Sequence, residues 1–492
     1  MILSKIVIVG GGNAALCAAL SARENGAQVT VLECAPLDEA GGNTRFTAGA
    51  IRFAYSGIDD LRALMPDLTE AECATTDFGT YTEDQFFDDM GRITDYRCDP
   101  DLVELLVRRS RKTLMWMRGK GIRFVPIWGR QAFKVDGRFK FWGGLTVETW
   151  GGGPGLVDAL TGAAKAAGID IRYGARAMSL LHGDTGIRGV CVRQDGASHD
   201  LEADAVVLAS GGFEANHEWR ARYLGPGWDL AKVRGTRFNT GDGIRMALDI
   251  GAASYGHWSG CHAVGWDRNA PEFGDLAVGD GFQKHSYPFG IMINADGRRF
   301  VDEGADFRNY TYAKYGGVIL RQPGQFAWQV FDAKVTHLLR DEYRIRRVTG
   351  VAADTLDALV AKLDGVDGQA ALRTIADYNQ AVQTTVPFDP NVKDGRGTQG
   401  LEIRKSNWAN TIDEGPFEAY AVTCGITFTF GGLRINQSGN VLDTDLAPIP
   451  GLYAAGELVG GLFYGNYPGG SGLTSGAVFG KIAGASAATA KR

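Results

Sequence analysis

The chain has 492 residues, 45% hydrophobic and 22% charged, which fits a folded protein with a large core and two to three domains at roughly 150 residues each. A net charge of −6 and a pI near 5.7 leave no basic footprint for nucleic acid; seven scattered cysteines without a CxxC pair suggest no disulfide framework, iron–sulfur cluster or haem attachment; and no apolar run approaches the roughly 20 residues of a membrane span. Glycine is the outlier, with 69 residues against a usual share of roughly 7%, clustered at 10–12, 151–153 and 469–470 as where backbone must approach a ligand closely.

In chain order, Lys5-Ile-Val-Ile-Val9 reads as a parallel strand buried on both faces. It feeds Gly10-Gly11-Gly12-Asn13-Ala14-Ala15 and an Ala-rich helix to about Asn25, with Gly26 as its stop; a second strand, Gln28–Leu32, ends on Glu33. The G-x-G-x-x-A arrangement is a dinucleotide signature: Gly10 makes the tight turn, Gly12 lets backbone N–H groups meet a pyrophosphate, and Ala15 permits close helix packing. Glu33 is placed to bind ribose hydroxyls and disfavours a 2′-phosphate. The signature alone does not separate one dinucleotide from another. A strand and Gly-rich helix start is preferred here to a secretory leader, and the reducing cysteine usage points to the cytoplasm.

Further on, a helical stretch near 83–120 carries Leu102, Leu105, Leu106, Leu114 and Met117 at heptad-like spacing, and Val206–Gly212 reads as another buried strand. Arg130, Lys134, Arg138 and Lys140 alternate with Phe133, Phe139, Phe141 and Trp142, which suits either a substrate-binding surface or a hairpin with snorkelling cations. A helix near Leu356–Leu363 and the turns between Pro387 and Gly400 suit a peripheral element with surface loops. His257 and His262 have no carboxylate at metal-ligand spacing, and no Gly-x-Ser-x-Gly elbow is present.

Gly41-Gly42-Asn43-Thr44, Ala48-Gly49-Ala50, Asn239-Thr-Gly-Asp242-Gly, Arg299-Phe-Val-Asp-Glu303, Ile449-Pro-Gly-Leu-Tyr-Ala-Ala-Gly456-Glu457 and Gly469-Gly-Ser471-Gly-Leu473-Thr occur in the order found in the fumarate reductase and succinate dehydrogenase flavoproteins. The chain resembles that superfamily along its whole length. The resemblance implies an α/β fold: a Rossmann-like FAD-binding domain (1–255 and 424–492) with an inserted α+β cap domain (256–423). It implies FAD held by Gly10, Gly12, Asn13, Ala14, Glu33, Gly42, Asn43, Thr44, Ala48, Gly49, Gly211, Asp242, Gly456, Glu457, Ser471 and Leu473. No histidine lies in 41–50, where covalent relatives attach the flavin, so the cofactor is expected to be non-covalent. The stretches Phe78–Phe86, Ala132–Phe141 and Phe463–Ser471 are most similar to the tricarballylate dehydrogenases. That similarity implies oxidation of a small polycarboxylate, with a separate electron-transfer protein as partner. The flavin half of the precorrin-modifying flavoproteins is also similar.

Three positions depart from the fumarate reductase pattern. Thr427-Phe428-Thr429-Phe430-Gly-Gly stands where a histidine pair precedes Met-Gly-Gly, Tyr467 stands where a carboxylate-binding arginine is usual, and Thr336 ends the segment that usually carries the proton-donating arginine. Tyr467-Pro468-Gly469 is instead similar to 3-ketosteroid dehydrogenases, whose tyrosine donates to a carbonyl oxygen. Arg308, which resembles the superfamily's proton-pathway arginine, is expected to be catalytic together with Tyr467 and His262. Arg138, Lys140, Thr427 and Phe428 are expected at the substrate.

Overall fold

The apolar run Lys5–Val9 is an inner strand of a six-stranded sheet in the computed structural model, which describes residues 4–490. The strand order is Asn440–Leu442, Pro448–Ala454, Ala205–Leu208, Lys5–Val9, Gln28–Leu32, Asp170–Arg172, parallel except for the first pair. Ile6, Val7, Ile8 and Val9 are all buried, as a strand covered on both faces requires. Val9 lies in register with Leu32 and Leu208, and Leu208 with Ala454. The four strands therefore end together, delivering Gly10, Glu33, Ser210-Gly211 and Gly456-Glu457 to one carboxyl edge, where open α/β sheets bind ligands. The α/β class and the Rossmann-like core expected from the sequence are what this sheet displays.

One face of the sheet is covered by the helices Asn13–Glu24 and Ser471–Thr489, packed backbone to backbone. Gly480 and Gly484 explain the closeness: a Cβ there would sit 2.4 Å from the Ala14 carbonyl oxygen and 2.1 Å from that of Ala18. The stretch near 83–120 forms the helices Glu83–Ile93 and Pro100–Gly119, with Leu102, Leu106, Leu114 and Met117 buried and Leu105 half-buried.

A second sheet is organised by one 17-residue strand, Phe417–Leu433. It pairs with Ser254–Asp267, Ala327–Phe331 and Gly350–Ala353 antiparallel and with Lys232–Val233 parallel. The positions proposed as cap boundaries, 255/256 and 423/424, both fall inside these strands, so the chain passes between the two parts through continuous sheet. The helix Arg308–Leu320 lies against this sheet, with Gly316 so close that a Cβ would approach Val264 N to 2.5 Å. Among the described residues no helix is long and apolar enough to cross a membrane.

Candidate active site

A trough runs along the carboxyl edge of the first sheet and opens into a cavity beneath the second. Its inner groove is walled by Gly10, Gly12, Glu33, Gly42, Gly211 and Asp242 among others, and the cavity by Ala48, Leu473, Thr427, Phe428, Tyr467 and others. Asn13, Ala14, Asn43, Thr44, Gly456 and Glu457 belong to both walls, making the two one continuous site. Gly10, at φ +116°, is obligatory, since a Cβ would sit 2.3 Å from the Ala209 carbonyl oxygen. Glu33 is buried; Ala35 N donates to its carboxylate at 2.8 Å, and burial raises its pKa despite that bond.

Two expected cofactor residues act differently. Gly49 packs against Thr149 and Gly152 rather than walling the trough, because a Cβ would meet Thr149 Oγ1 at 2.3 Å. Ser471 is fully buried at the start of its helix, donating to the Pro468 carbonyl at 2.5 Å. The Gly469-Gly470 turn before that helix is held by Arg52, whose Nε donates to the Gly469 carbonyl at 2.8 Å and whose backbone N–H donates to that of Gly470 at 3.2 Å.

The far wall concentrates charge. The Arg234 guanidinium donates to Asp280 Oδ1 at 2.6–2.7 Å and to Thr427 Oγ1 at 3.2 Å, and Arg130 pairs with Asp280 Oδ2 at 2.9 Å. Gln283 donates to the same oxygen at 2.7 Å. Arg308 donates to the Arg130 carbonyl at 2.5 Å and to His285 Nδ1 at 3.2 Å. Three guanidiniums therefore line one cavity, two of them sharing the Asp280 carboxylate. Burial, reinforced by Arg130, lowers the pKa of Arg308. Burial and neighbouring arginines push His262 and His285 well below the ordinary histidine range, which keeps both neutral.

Tyr467 and Tyr312 meet hydroxyl to hydroxyl at 2.5 Å on this wall. Both phenols are pushed up, chiefly by burial. His262 packs against Tyr467, Tyr312 and Phe428 at centroid distances of 4.8, 5.0 and 5.2 Å, with both ring nitrogens buried and unpartnered. It faces Phe428 across the strand pair beside a register shift, the kind of bulge that re-aims a side chain.

Arg138 and Lys140 do not reach the cavity. They lie exposed on the hairpin formed by Ala132–Val135 and Arg138–Phe141, while Phe141 turns inward. Within Arg138–Phe141 the alternation has period two, and the face carrying Phe139 and Phe141 is the one that packs. Arg130, just before the hairpin, is the cation of that stretch that enters the site. The sequence reading missed Arg234, Asp280, Gln283, His285 and Glu214. Tyr312 was within reach, because it follows Arg308 by one helical turn and shares its face. Glu214 is fully buried, accepts from Asn43 and Asn239 at 2.6 and 2.7 Å, and lies beside Glu457, which accepts from Thr429 N at 2.9 Å. Burial raises both carboxyls, and Glu214 pushes Glu457 further up.

The family described as FAD binding domain matches residues 5–473. A probable fumarate reductase (Ifc3) of Shewanella frigidimarina is 30% identical over 99% of this chain and 75% of its own length. This chain belongs to the fumarate reductase-like family of FAD-binding flavoproteins. The open conformation of a flavocytochrome c3 fumarate reductase matches 99% of this flavoprotein and 78% of its own chain, with 28% identity and a TM-score of 0.72. A 3-ketosteroid Δ1-dehydrogenase from Sterolibacterium denitrificans shares the fold over 99% of this flavoprotein and all of its own chain, with 21% identity and a TM-score of 0.75. The flavoprotein is an FAD-dependent oxidoreductase acting on carbon–carbon bonds. Its trough fits the cofactor: the groove is glycine-lined where a pyrophosphate needs backbone N–H groups, Glu33 closes its inner end, and the Ser471 helix begins at its outer end.

Glu148, near Arg130, gives the flavoprotein a pH dependence. Burial raises its carboxyl from an ordinary 4.5 to about 7, against the opposing pull of Arg130. The folded state then binds more protons than the unfolded one between these values, so stability falls as pH rises through that window, by about 3 kcal/mol in all. Denaturant unfolding of the FAD-saturated protein at pH 5 and pH 7 should show a smaller loss for Glu148→Gln than for wild type. An equal loss would assign the slope to other groups.

Proposed function

We propose that this flavoprotein oxidises a small polycarboxylate of the tricarballylate type to its unsaturated product, cis-aconitate for tricarballylate itself. A hydride would leave one substrate carbon, and a proton the neighbouring one. The observation that carries this reading is the set of three guanidiniums, Arg130, Arg234 and Arg308, on one cavity wall, where Asp280 pairs with two of them. Carboxylates leaving water need such partners, and each charge-assisted hydrogen bond returns roughly 1.5–3 kcal/mol. FAD, bound without a covalent link, supplies the hydride acceptor.

The remaining roles belong to the chain. Arg130 and Arg234 hold carboxylates while Asp280 fixes their orientation. Tyr467, with Tyr312 behind it, donates a hydrogen bond to a substrate oxygen and so acidifies the adjacent C–H. Arg308, whose affinity for its proton is lowered by burial, exchanges the proton. Thr427 and Phe428 shape the floor. A separate electron-transfer protein reoxidises the flavin.

Anaerobic mixing tests the reading. Tricarballylate should bleach the oxidised flavin, and its neutral triester should not. Phe428, Phe430, Phe463 and the tyrosine pair favour a second reading, a ketone substrate of steroid type. Bleaching by a 3-ketosteroid and not by tri- or dicarboxylates would put that reading first, and bleaching by a tetrapyrrole alone would favour the precorrin alternative.

Glu33→Ala should weaken FAD retention roughly tenfold to a hundredfold, the loss of one hydrogen bond to a charged group, with the fold intact. Equilibrium dialysis of released FAD measures it. Unchanged affinity would displace the adenosine ribose from Glu33.

A further inference from the structure

Behind the catalytic wall lies a second, much smaller chamber of about 20 Å³, lined by Phe133, Trp142, Phe289, Arg340 and Trp408 and separated from the main cavity by His285 and Arg308, which line both. It is aromatic: Trp142 stacks on Phe307 at 4.8 Å, Phe133 meets Phe289 edge-on at 5.3 Å, and the Arg340 guanidinium lies 4.0 Å over Phe133. Three of its wall residues nevertheless carry a buried nitrogen with no partner: Trp142 Nε1, Arg340 Nη2 and His285 Nε2.

All three are donors. Indole and guanidinium nitrogens can only donate. For His285 the assignment follows from its neighbour. Its Nδ1 lies 3.2 Å from Arg308 Nη1, and a guanidinium has no lone pair to offer, so Nδ1 accepts. The ring is held neutral, its one proton therefore sits on Nε2, and Nε2 is a donor as well. Unpartnered acceptors do occur nearby in sequence, Asn391 Oδ1 and Glu342 Oε1, but neither residue is on this wall. A water has two lone pairs for three donors, and Ser286, whose Oγ already accepts from Arg340 N at 3.2 Å, is the hydroxyl on this wall. An anion accepts from all of them.

The charge points the same way. Arg130, Arg234, Arg308 and Arg340 surround the two cavities, and the carboxyls set against them are Asp280, Glu342 and Glu148, with Asp341 at the surface. Arg340 spends its Nη1 on the Gly129 carbonyl at 2.8 Å, and burial beside Arg308 lowers its pKa to about 9, the mark of a cation short of counter-charge.

We propose that this chamber is a binding site for a small inorganic anion of chloride type, held by Trp142, Arg340 and His285. The anion fixes the His285 tautomer, and so keeps Nδ1 as the acceptor that aims the Arg308 guanidinium. The site is independent of the substrate assignment, because it rests on the orphaned donors and not on the contents of the main cavity.

Crystals of the FAD-loaded protein soaked in sodium bromide test this by anomalous diffraction at the bromine edge, with and without tricarballylate. The expected result is a peak in the chamber, within hydrogen-bond reach of all three nitrogens, in both soaks, and its loss in Arg340→Gln with FAD content and melting temperature near wild type. An empty or water-filled chamber in the wild-type soak overturns the proposal. So does a peak that tricarballylate displaces, which would make the chamber the end of the substrate pocket. A peak undiminished in Arg340→Gln marks an adventitious ion only and overturns it equally. Should Arg340→Gln fail to fold, the two wild-type soaks decide.

Discussion

Tyr467→Phe is expected to slow anaerobic flavin bleaching by roughly tenfold to a thousandfold, by analogy with the loss of one oxyanion donor, while leaving the melting temperature near that of wild type. The hydroxyl is buried on the cavity wall, where it meets the Tyr312 hydroxyl at 2.5 Å. Removing it leaves the ring contacts with His262, Phe428 and Phe463 in place, so packing changes little. Tyr312→Phe separates polarisation from proton passage along the pair. If Tyr467 alone polarises substrate, Tyr312→Phe has a small effect. If the pair acts as a unit, the single and double variants are slowed alike, the non-additivity expected of groups in contact. A rate in Tyr467→Phe equal to wild type would reduce Tyr467 to a packing residue.

Arg308→Ala is expected to weaken tricarballylate binding or slow bleaching by roughly thirtyfold to several thousandfold, as when one partner of a buried charge pair is truncated, at about 2–5 kcal/mol. Arg347→Ala is the control: its side chain is half exposed and ion-paired with Asp275, an arrangement worth no more than about 1 kcal/mol. Arg308→Lys keeps the charge but loses the forked donors that reach both the Arg130 carbonyl and His285, so partial rescue should appear in binding more than in rate. Equal bleaching in Arg308→Ala and Arg347→Ala would remove Arg308 from the site and leave the anionic-substrate reading on Arg130 and Arg234 alone.

The nucleotide end was legible because its residues are consecutive. A β-branched run, three glycines, an Ala-rich helix and an acid at the next strand end follow one another within 33 residues, and a strand–turn–helix places them without help from the rest of the chain. The family segments at 41–50, 239–243, 449–457 and 469–474 likewise carried their own signal. Within the helix Arg308–Leu320, the four-residue step from Arg308 to Tyr312 was also readable, since 3.6 residues per turn puts both on one face.

The cationic wall was not legible. Arg130, Arg234, Asp280 and Arg308 come from four separate segments, and Arg234 reaches Thr427 only because Lys232–Val233 pairs with Gly425–Ile426. Nothing in the residues around Arg234 marks that pairing. The hairpin at 132–141 shows the limit most sharply. Within its second strand the alternation determines by itself that Arg138 and Lys140 occupy the face opposite Phe139 and Phe141, because a strand has period two. Which face turns inward depends on what else needs burial. Phe78 and Trp128 offer the rings of Phe139 and Phe141 an aromatic partner surface, and burying those rings outweighs any use of Arg138 and Lys140 at the substrate. Sequence therefore determined the cofactor and the chemistry of the family, whereas the tertiary packing decided which arginines line the cavity.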